Sequence, residues 1–225
     1  MSSLAQQISA AGLADHILSE RQLGDLLGGG DARRYGLVNR ALKDGSLLRV
    51  KRGTYVLGKR YRSATVHPFA VAQGLVPGSY VSFESALAHH GWIPEAVFET
   101  ASVSPRRKTF RFETPDFGGF SFHPLAIKDY QFLTGVDRIV MGKLTAFVAQ
   151  PLRALLDLVA LRKEQWAGTE WLTRGMRIDD EMLFGLRRKD FAKLRPVYKH
   201  KAVNGFLASL ESVVMAARKE RSADD

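Results

Sequence analysis

The stretch DARRYGLVNRALKDGSLLRVKRGTYVLG, residues 31–58, decides the fold of the first part of the chain. Its first half predicts an amphipathic helix that begins after an Asp31 N-cap and stops at Asp44-Gly45. The predicted apolar face consists of Val38, Ala41 and Leu42, with Tyr35 near its edge. One side of this helix is therefore expected to pack against a core.

The opposite face of the same helix is basic. It consists of Arg33, Gly36, Arg40 and Lys43, flanked by Arg34 and Asn39. A solvated helix face usually mixes both signs of charge, whereas this one carries no acid between Asp31 and Asp44. The pattern indicates either a solvated basic face or a surface that binds a polyanion.

The second half of the stretch alternates apolar and polar residues around Lys51-Arg52-Gly53, which predicts a β-hairpin with a basic tip. Upstream, Ser19 and Gln22 have the spacing of a capping box and begin a short helix that ends at Gly28–Gly30. The order helix, helix, glycine turn, basic helix, hairpin is typical of a winged helix-turn-helix, whose second helix of the pair enters the DNA major groove.

The charge of the whole chain agrees with this interpretation. Its 225 residues contain 33 Lys and Arg against 23 Asp and Glu, a net charge of +10. Residues 1–65 hold eleven basic and five acidic side chains, so more than half of the net charge lies in under a third of the chain. A field of this sign attracts nucleic acid first.

Two domains are expected: a winged helix-turn-helix at 1–65 and a mixed C-terminal domain at 66–225. From residue 97 the sequence predicts short strands of an antiparallel sheet, including a hairpin about Gly142-Lys143. Pro151 then begins an apolar helix, and the rest reads as mostly helical. The expected fold class is α+β, with a small antiparallel sheet and a helical end.

Two sets of residues are predicted to bind nucleic acid. The proposed DNA-binding set is Arg33, Arg34, Tyr35, Asn39, Arg40, Lys43, Lys51, Arg52 and Arg60. A second basic patch, interpreted either as a solvated helix or as a further phosphate contact, is Arg187, Arg188, Lys189, Lys193, Arg195 and Lys199.

Other classes of function have less support. The absence of cysteine excludes disulfides and thiolate metal sites, and the six histidines have no metal-binding spacing. We therefore expect no cofactor, metal or enzymatic activity, no membrane association and a cytoplasmic location. Two alternatives stay open: a nuclease that uses Asp116, and an interaction protein whose basic C-terminal region binds an acidic partner.

Three stretches in order carry a resemblance to a known family: ALKDGSLLRVKRGTYVL at 41–57, SFESALAHHGW at 82–92 and AFVAQPLRALLDLVAL at 146–161. Together they resemble the AbiEi antitoxins of type IV toxin–antitoxin systems over nearly the whole chain. Within these motifs, the positions that resemble scaffold elements rather than catalytic ones are Ser82, Ser85, Ala86, Leu87, Gly91, Leu155, Leu156 and Asp157.

The resemblance implies a sequence-specific repressor that binds inverted repeats in double-stranded DNA of its own operon. It also implies a C-terminal antitoxin domain that opposes a nucleotidyltransferase-like toxin without forming a stable complex with it.

Overall fold

The computed structural model describes residues 3–221. Its α-helices are α1 Leu4–Ala10, α2 Glu20–Leu27, α3 Asp31–Lys43, α4 Pro68–Leu75, α5 Phe83–His89, α6 Pro151–Arg162, α7 Asp180–Phe184, α8 Arg188–Leu194 and α9 Lys201–Arg221. Its strands are β1 Leu18–Ser19, β2 Leu47–Lys51, β3 Thr54–Leu57, β4 Tyr80–Val81, β5 Glu99–Val103, β6 Phe110–Thr114, β7 Gly118–His123, β8 Val136–Met141 and β9 Leu144–Ala149. A 3₁₀ turn at Lys59–Tyr61 and a π turn at Trp171–Gly175 complete the regular structure of this part of the chain.

Local sequence signals account for the first helices. Gln22 N donates to Ser19 Oγ (3.2 Å) and Ser19 N donates to Gln22 Oε1 (2.8 Å), so the predicted capping box at the start of α2 is confirmed. The turn after α2 needs glycine, because Gly28 and Gly29 both have positive φ. The predicted Asp31 cap is wrong: Gly30 is the N-cap, and Asp31 is the first helical residue, paired with Arg34.

The hairpin β2–β3 also forms as predicted, and β1 adds to it as a third antiparallel strand in the order β1-β3-β2. Its tight turn uses Gly53 at φ 74°, and Gly53 O accepts a hydrogen bond from Glu20 N (2.8 Å). The start of α2 is thereby fixed against the tip of the hairpin.

The second sheet has six strands in the order β6-β7-β5-β4-β9-β8. The pairs β6–β7, β4–β5 and β8–β9 are antiparallel, whereas β5–β7 and β4–β9 are parallel. The mixed α+β architecture with a C-terminal helix is as expected from the sequence. The sheet is larger than expected because β4, with only two residues, joins its two halves. It is partly parallel because β5 pairs with β7 and β4 pairs with β9.

Among residues 3–221, the buried apolar side chains form two clusters. The smaller lies among α1, α2, α3 and the three-stranded sheet, with Ile8, Leu18 and Leu57 fully buried. The larger lies between the six-stranded sheet and the helices from α4 onward. Val50 and Val56 of the hairpin belong to the larger cluster, so side chains from both faces of the hairpin pack against apolar clusters.

Asp15, in the loop between α1 and β1, joins three parts of the chain. Its carboxylate accepts hydrogen bonds from Ser63 Oγ (2.7 Å), Ser63 N (2.8 Å) and Ala64 N (3.1 Å). Lys143, in the β8–β9 turn, lies 3.1 Å from Oδ2. The Ser63 hydroxyl, helped by Lys143 and the two amides, holds the pKa of Asp15 well below its usual range despite partial desolvation.

We expect Asp15→Asn to destabilise the protein at neutral pH, with a difference from the unmodified chain that shrinks below about pH 4. A depressed folded pKa means that the carboxylate stabilises the fold fully above its unfolded pKa. That stabilisation is lost as the pH falls through the folded pKa. Thermal midpoints of both proteins from neutral to acidic pH measure this effect, with Asp25→Asn, an exposed carboxylate on α2, as the control. A pH-independent difference would contradict the assignment.

Within residues 3–221, no helix combines the length and the apolar character needed to cross a bilayer.

Candidate nucleic-acid interface

Helix α3 packs through one side only. Ala41 is buried, and Leu37, Val38 and Leu42 pack partly buried against the smaller apolar cluster. Tyr35, expected near the edge of the apolar face, has 71% of its surface exposed. The helix is therefore rotated towards Leu37 relative to the predicted orientation, which turns Tyr35 into solvent.

The solvent face of α3 carries the predicted basic residues. Arg33, Arg40 and Lys43 are exposed, and Gly36 lies between them on the helix surface. Arg40 Nε donates to Gly36 O of its own helix (3.3 Å), so its guanidinium keeps further donors for an external ligand. Within the described residues, neither Arg40 nor Lys43 forms an ion pair.

Arg33 and Arg34 make contacts inside the protein. Arg33 Nη1 donates to Leu27 O (3.3 Å) at the end of α2, where helix carbonyls lack partners in their own helix. Arg34 pairs with Asp31 and lies against Gly24 of α2. Both arginines thus fix α3 against α2, which leaves Arg40 and Lys43 as the freer charges.

A cleft of about 850 Å³ is lined by residues of α2, α3 and the hairpin. Tyr35 and Asn39 line it on the α3 side, and Arg49 and Arg52 line it on the hairpin side. Its remaining charged residues are Arg21 and Arg34 with Glu20, Asp25 and Asp31. The cleft is thus of mixed charge, whereas the outer face of α3 is acid-free.

The structure places Lys51 away from the site predicted for it. The sequence puts it beside Arg52 at the tip of the hairpin, but its Nζ instead donates to Leu75 O at the end of α4. Arg52 is exposed at the tip as predicted. Lys51 is turned away because β2 contains a bulge between Arg49 and Lys51, which strict alternation along a strand does not anticipate.

Arg60 follows the hairpin in the 3₁₀ turn. Its Nη2 donates to Asp44 O (3.3 Å) at the C-terminal end of α3, and its guanidinium lies 4.9 Å from the Tyr61 ring centroid. Arg60 therefore adds positive charge at the end of α3 that also carries Lys43.

The second basic patch is partly neutralised within the protein. Arg195 makes two hydrogen bonds to the Glu211 carboxylate (2.7 and 2.8 Å), and Lys199 lies 3.6 Å from Asp129. Lys193 Nζ donates to Gln150 Oε1 (3.1 Å). Arg187, Arg188 and Lys189, at the start of α8, are exposed. The patch thus presents fewer free charges than its sequence indicates.

Asp116, the residue named for the nuclease alternative, lies exposed in the β6–β7 turn. In the part of the chain that the structure describes, no group of three His, Asp or Glu side chains is arranged to hold a metal ion.

The sequence interpretation missed a polar cluster inside the C-terminal core. Arg153 and Asp157 of α6 are fully buried, and Arg153 Nε lies 3.0 Å from Asp157 Oδ1. The carboxylate also accepts hydrogen bonds from Ser82 Oγ (2.7 Å), Tyr80 Oη (3.0 Å) and Tyr198 Oη (2.7 Å). The cluster thus ties α6 to β4, to the start of α5 and to the segment before α9.

This cluster has the electrostatics of a structural site. Burial, reinforced by the Asp157 charge, raises the pKa of both Tyr80 and Tyr198, so both hydroxyls stay protonated donors. Arg153 also donates to Thr134 O (2.6 Å), which holds the loop before β8. The signal in the sequence was an arginine and an aspartate four residues apart in the apolar run PLRALLDLVAL, since that spacing puts both on one helix face.

Comparisons with known proteins give a structural likeness and no match at the level of sequence families. No family model and no curated protein matches the chain. The crystal structure of the RV2827C protein from Mycobacterium tuberculosis superimposes with a TM-score of 0.54 at 15% sequence identity, over 92% of this chain and 77% of that one. The likeness is one of fold. It supports the α+β architecture described above.

Proposed function

We propose that the protein is a DNA-binding transcriptional regulator and that its α1–β3 segment is a winged helix-turn-helix. Three features support the proposal: the element order, the short glycine turn between α2 and α3, and the hairpin that follows α3 directly. In such a module α3 enters the major groove and the hairpin approaches the backbone. The residues at the protein–DNA contact are then Tyr35, Asn39, Arg40 and Lys43 of α3, with Arg52 at the hairpin.

The observation that carries the proposal is the acid-free face of α3, in which Gly36 lies among the exposed side chains of Arg33, Arg40 and Lys43. Glycine within a helix costs about 1 kcal/mol relative to alanine. No internal contact explains this cost, because a Cβ built at Gly36 meets no atom within 4 Å. The gap lies between the exposed Arg40, Lys43 and Tyr35, where a base edge or a backbone can approach α3 closely.

Selection from a pool of random duplexes tests the proposal directly. The purified protein is expected to enrich one sequence motif, and affinity for that motif is expected to fall steeply as salt rises. Retention of DNA without any enriched motif would overturn the regulator assignment, and so would absence of binding at low salt.

We expect Gly36→Ala to stabilise the free protein by about 0.5–1 kcal/mol while weakening DNA binding. The added methyl group favours the helix but occupies the gap on its exposed face. Gly205→Ala is the matched control, since Gly205 is exposed in α9 and a Cβ there also meets nothing within 4 Å. Thermal midpoints and binding titrations of both variants separate the effects: a Gly36→Ala protein that bound DNA like the control would remove the main support for α3 as the reading helix.

The resemblance to AbiEi antitoxins extends the proposal to a toxin partner. The regulator would repress its own operon at inverted repeats, and the C-terminal domain would oppose a nucleotidyltransferase-like toxin without a stable complex. Co-expression of this chain with the product of a neighbouring toxin-like gene tests this part. Growth arrest by the toxin should be relieved by the full chain; unchanged arrest would leave a regulator without antitoxin activity.

A further inference from the structure

The hairpin β2–β3 is held from both sides. Leu47, Tyr55 and Leu57 pack into the smaller cluster, whereas Val50 and Val56 pack into the larger cluster. All four residues of β3 are buried. The direction of the hairpin relative to α3 is therefore set by its contacts with the larger cluster as well as by those with the smaller cluster.

The bulge in β2 determines which basic side chains face outward. Arg49 pairs with Tyr55 and Lys51 pairs with Thr54, so Val50 is an extra residue without a partner on β3. In a regular strand, Arg49 and Lys51 would point to the same face. With the bulge, Arg49 lines the cleft beside α3 while Lys51 points to the C-terminal body.

The contacts of Lys51 are those of an anchor. Its ammonium donates to Leu75 O, a carbonyl at the negative end of the α4 dipole, and lies 5.9 Å from the Phe112 ring centroid in β6. Desolvation, with a smaller contribution from the charge of Arg106, lowers the pKa of Lys51. The ammonium has thus already exchanged part of its water for contacts inside the protein.

We propose that Lys51 is a positioning residue: it anchors the hairpin to α4 and β6, and the exposed Arg52, together with Arg49, presents the hairpin's charge to DNA phosphates. Only the phosphate contacts of Arg52 and Arg49 rest on the proposed DNA-binding function. The anchoring half concerns the free protein and is measured without DNA.

The salt dependence of DNA binding separates an anchor from a phosphate contact. Arg52→Met should flatten the slope of log K against log salt by about 0.9 for each phosphate that the variant no longer neutralises. Lys51→Met, whose side chain still covers Phe112, should lower affinity about three- to tenfold with the slope unchanged, since ordering the loosened hairpin on DNA costs about the net contribution of one typical hydrogen bond. Lys51→Arg keeps the cation and the donor and should restore most of the affinity.

Hydrogen exchange of the free protein completes the test. Lys51→Met should speed exchange of amides in residues 47–57 and leave α3 unchanged, whereas Arg52→Met should change neither. A slope flattened by Lys51→Met as much as by Arg52→Met would overturn the inference, as would hairpin exchange equal to that of the unmodified chain. Should the unmodified chain bind no DNA, the proposed function fails, while the exchange data still decide whether Lys51 is an anchor.

Discussion

Replacing Arg153 by methionine is expected to lower the free energy of unfolding by about 3–5 kcal/mol, the usual cost of leaving one member of a buried ion pair unpaired. Methionine fills a similar length but donates no hydrogen bond. Asp157 would keep its three hydroxyl donors and lose the only cation that contacts it among the described residues. Urea unfolding monitored by fluorescence measures the decrease.

Arg162→Met is the matched control for this prediction. Arg162 lies on the same helix and pairs with Glu84, but both side chains are substantially exposed to solvent. Exposed pairs contribute about 0–1 kcal/mol, so the control should stay close to the unmodified chain. A similar decrease in the free energy of unfolding for both variants would mean that methionine in α6 destabilises the protein by itself. The loss of the buried ion pair would then not explain the effect of Arg153→Met.

Arg153→Met should also affect the loop before β8. Arg153 holds this loop through Thr134 O and Gln131 O. Arg153→Met should therefore increase proteolytic cleavage between 128 and 135 even at temperatures where the protein remains folded, while Arg162→Met should not. This readout distinguishes removal of a specific anchor from a general decrease in stability.

Arg40→Ala is expected to weaken binding to the preferred DNA sequence by about 1–3 kcal/mol and to relax base preference at one position, as when a bidentate hydrogen-bond pair to a base is removed. The fold should be unaffected, because Arg40 is exposed and its hydrogen bond to Gly36 O stays within its own helix. Binding to the selected motif and to each single-base variant of it gives both quantities.

Arg188→Ala removes the same charge from an exposed position on α8 and serves as the control. If the second basic patch contacts phosphate, Arg188→Ala lowers affinity for all sequences equally and leaves base preference intact. An Arg40→Ala protein with unchanged base preference would show that α3 does not read bases through this residue.

Local signals in the sequence predict much of the N-terminal architecture. The Ser19–Gln22 capping box, the Gly28–Gly29 turn and the Gly53 hairpin turn each depend on residues within a few positions, and each is found in the structure. The same reasoning misplaced the start of α3, because Gly30 and Asp31 are both acceptable N-caps and Asp31 pairs instead with Arg34 in the first turn. Local rules thus identify elements better than their ends.

The side-chain environment of the candidate site was harder to predict. The direction of Lys51 depends on a bulge and on the end of α4, more than twenty residues away in sequence. The exposure of Tyr35 depends on how α3 rotates to pack Leu37 partly against the smaller cluster. Both are decided by packing between distant segments, which helical and strand periodicity do not encode.

The six-stranded sheet and the polar cluster around Asp157 also depend on contacts between segments that are distant in sequence. The parallel pair β5–β7 joins segments that the strand pattern presents as two of three consecutive short strands, and β4, which pairs with β9 in parallel, was not predicted as a strand. Asp157 contacts Tyr80 and Tyr198, which lie 77 and 41 residues away in the chain. A charged pair in an apolar helix predicts burial, but its partners become apparent only in three dimensions.

Because both faces of the hairpin pack against apolar clusters, residues 1–65 cannot be exchanged between proteins without loss of contacts. A recombination event that joined residues 1–65 to a different C-terminal sequence would leave Val50 and Val56 without their partners and Lys51 without its carbonyl. If α3 reads DNA as proposed, a new base preference would therefore arise more readily by point substitution on α3 than by exchange of residues 1–65 as a unit. Lineages of this fold should vary at positions 35, 39, 40 and 43 while β2 and α4 change together.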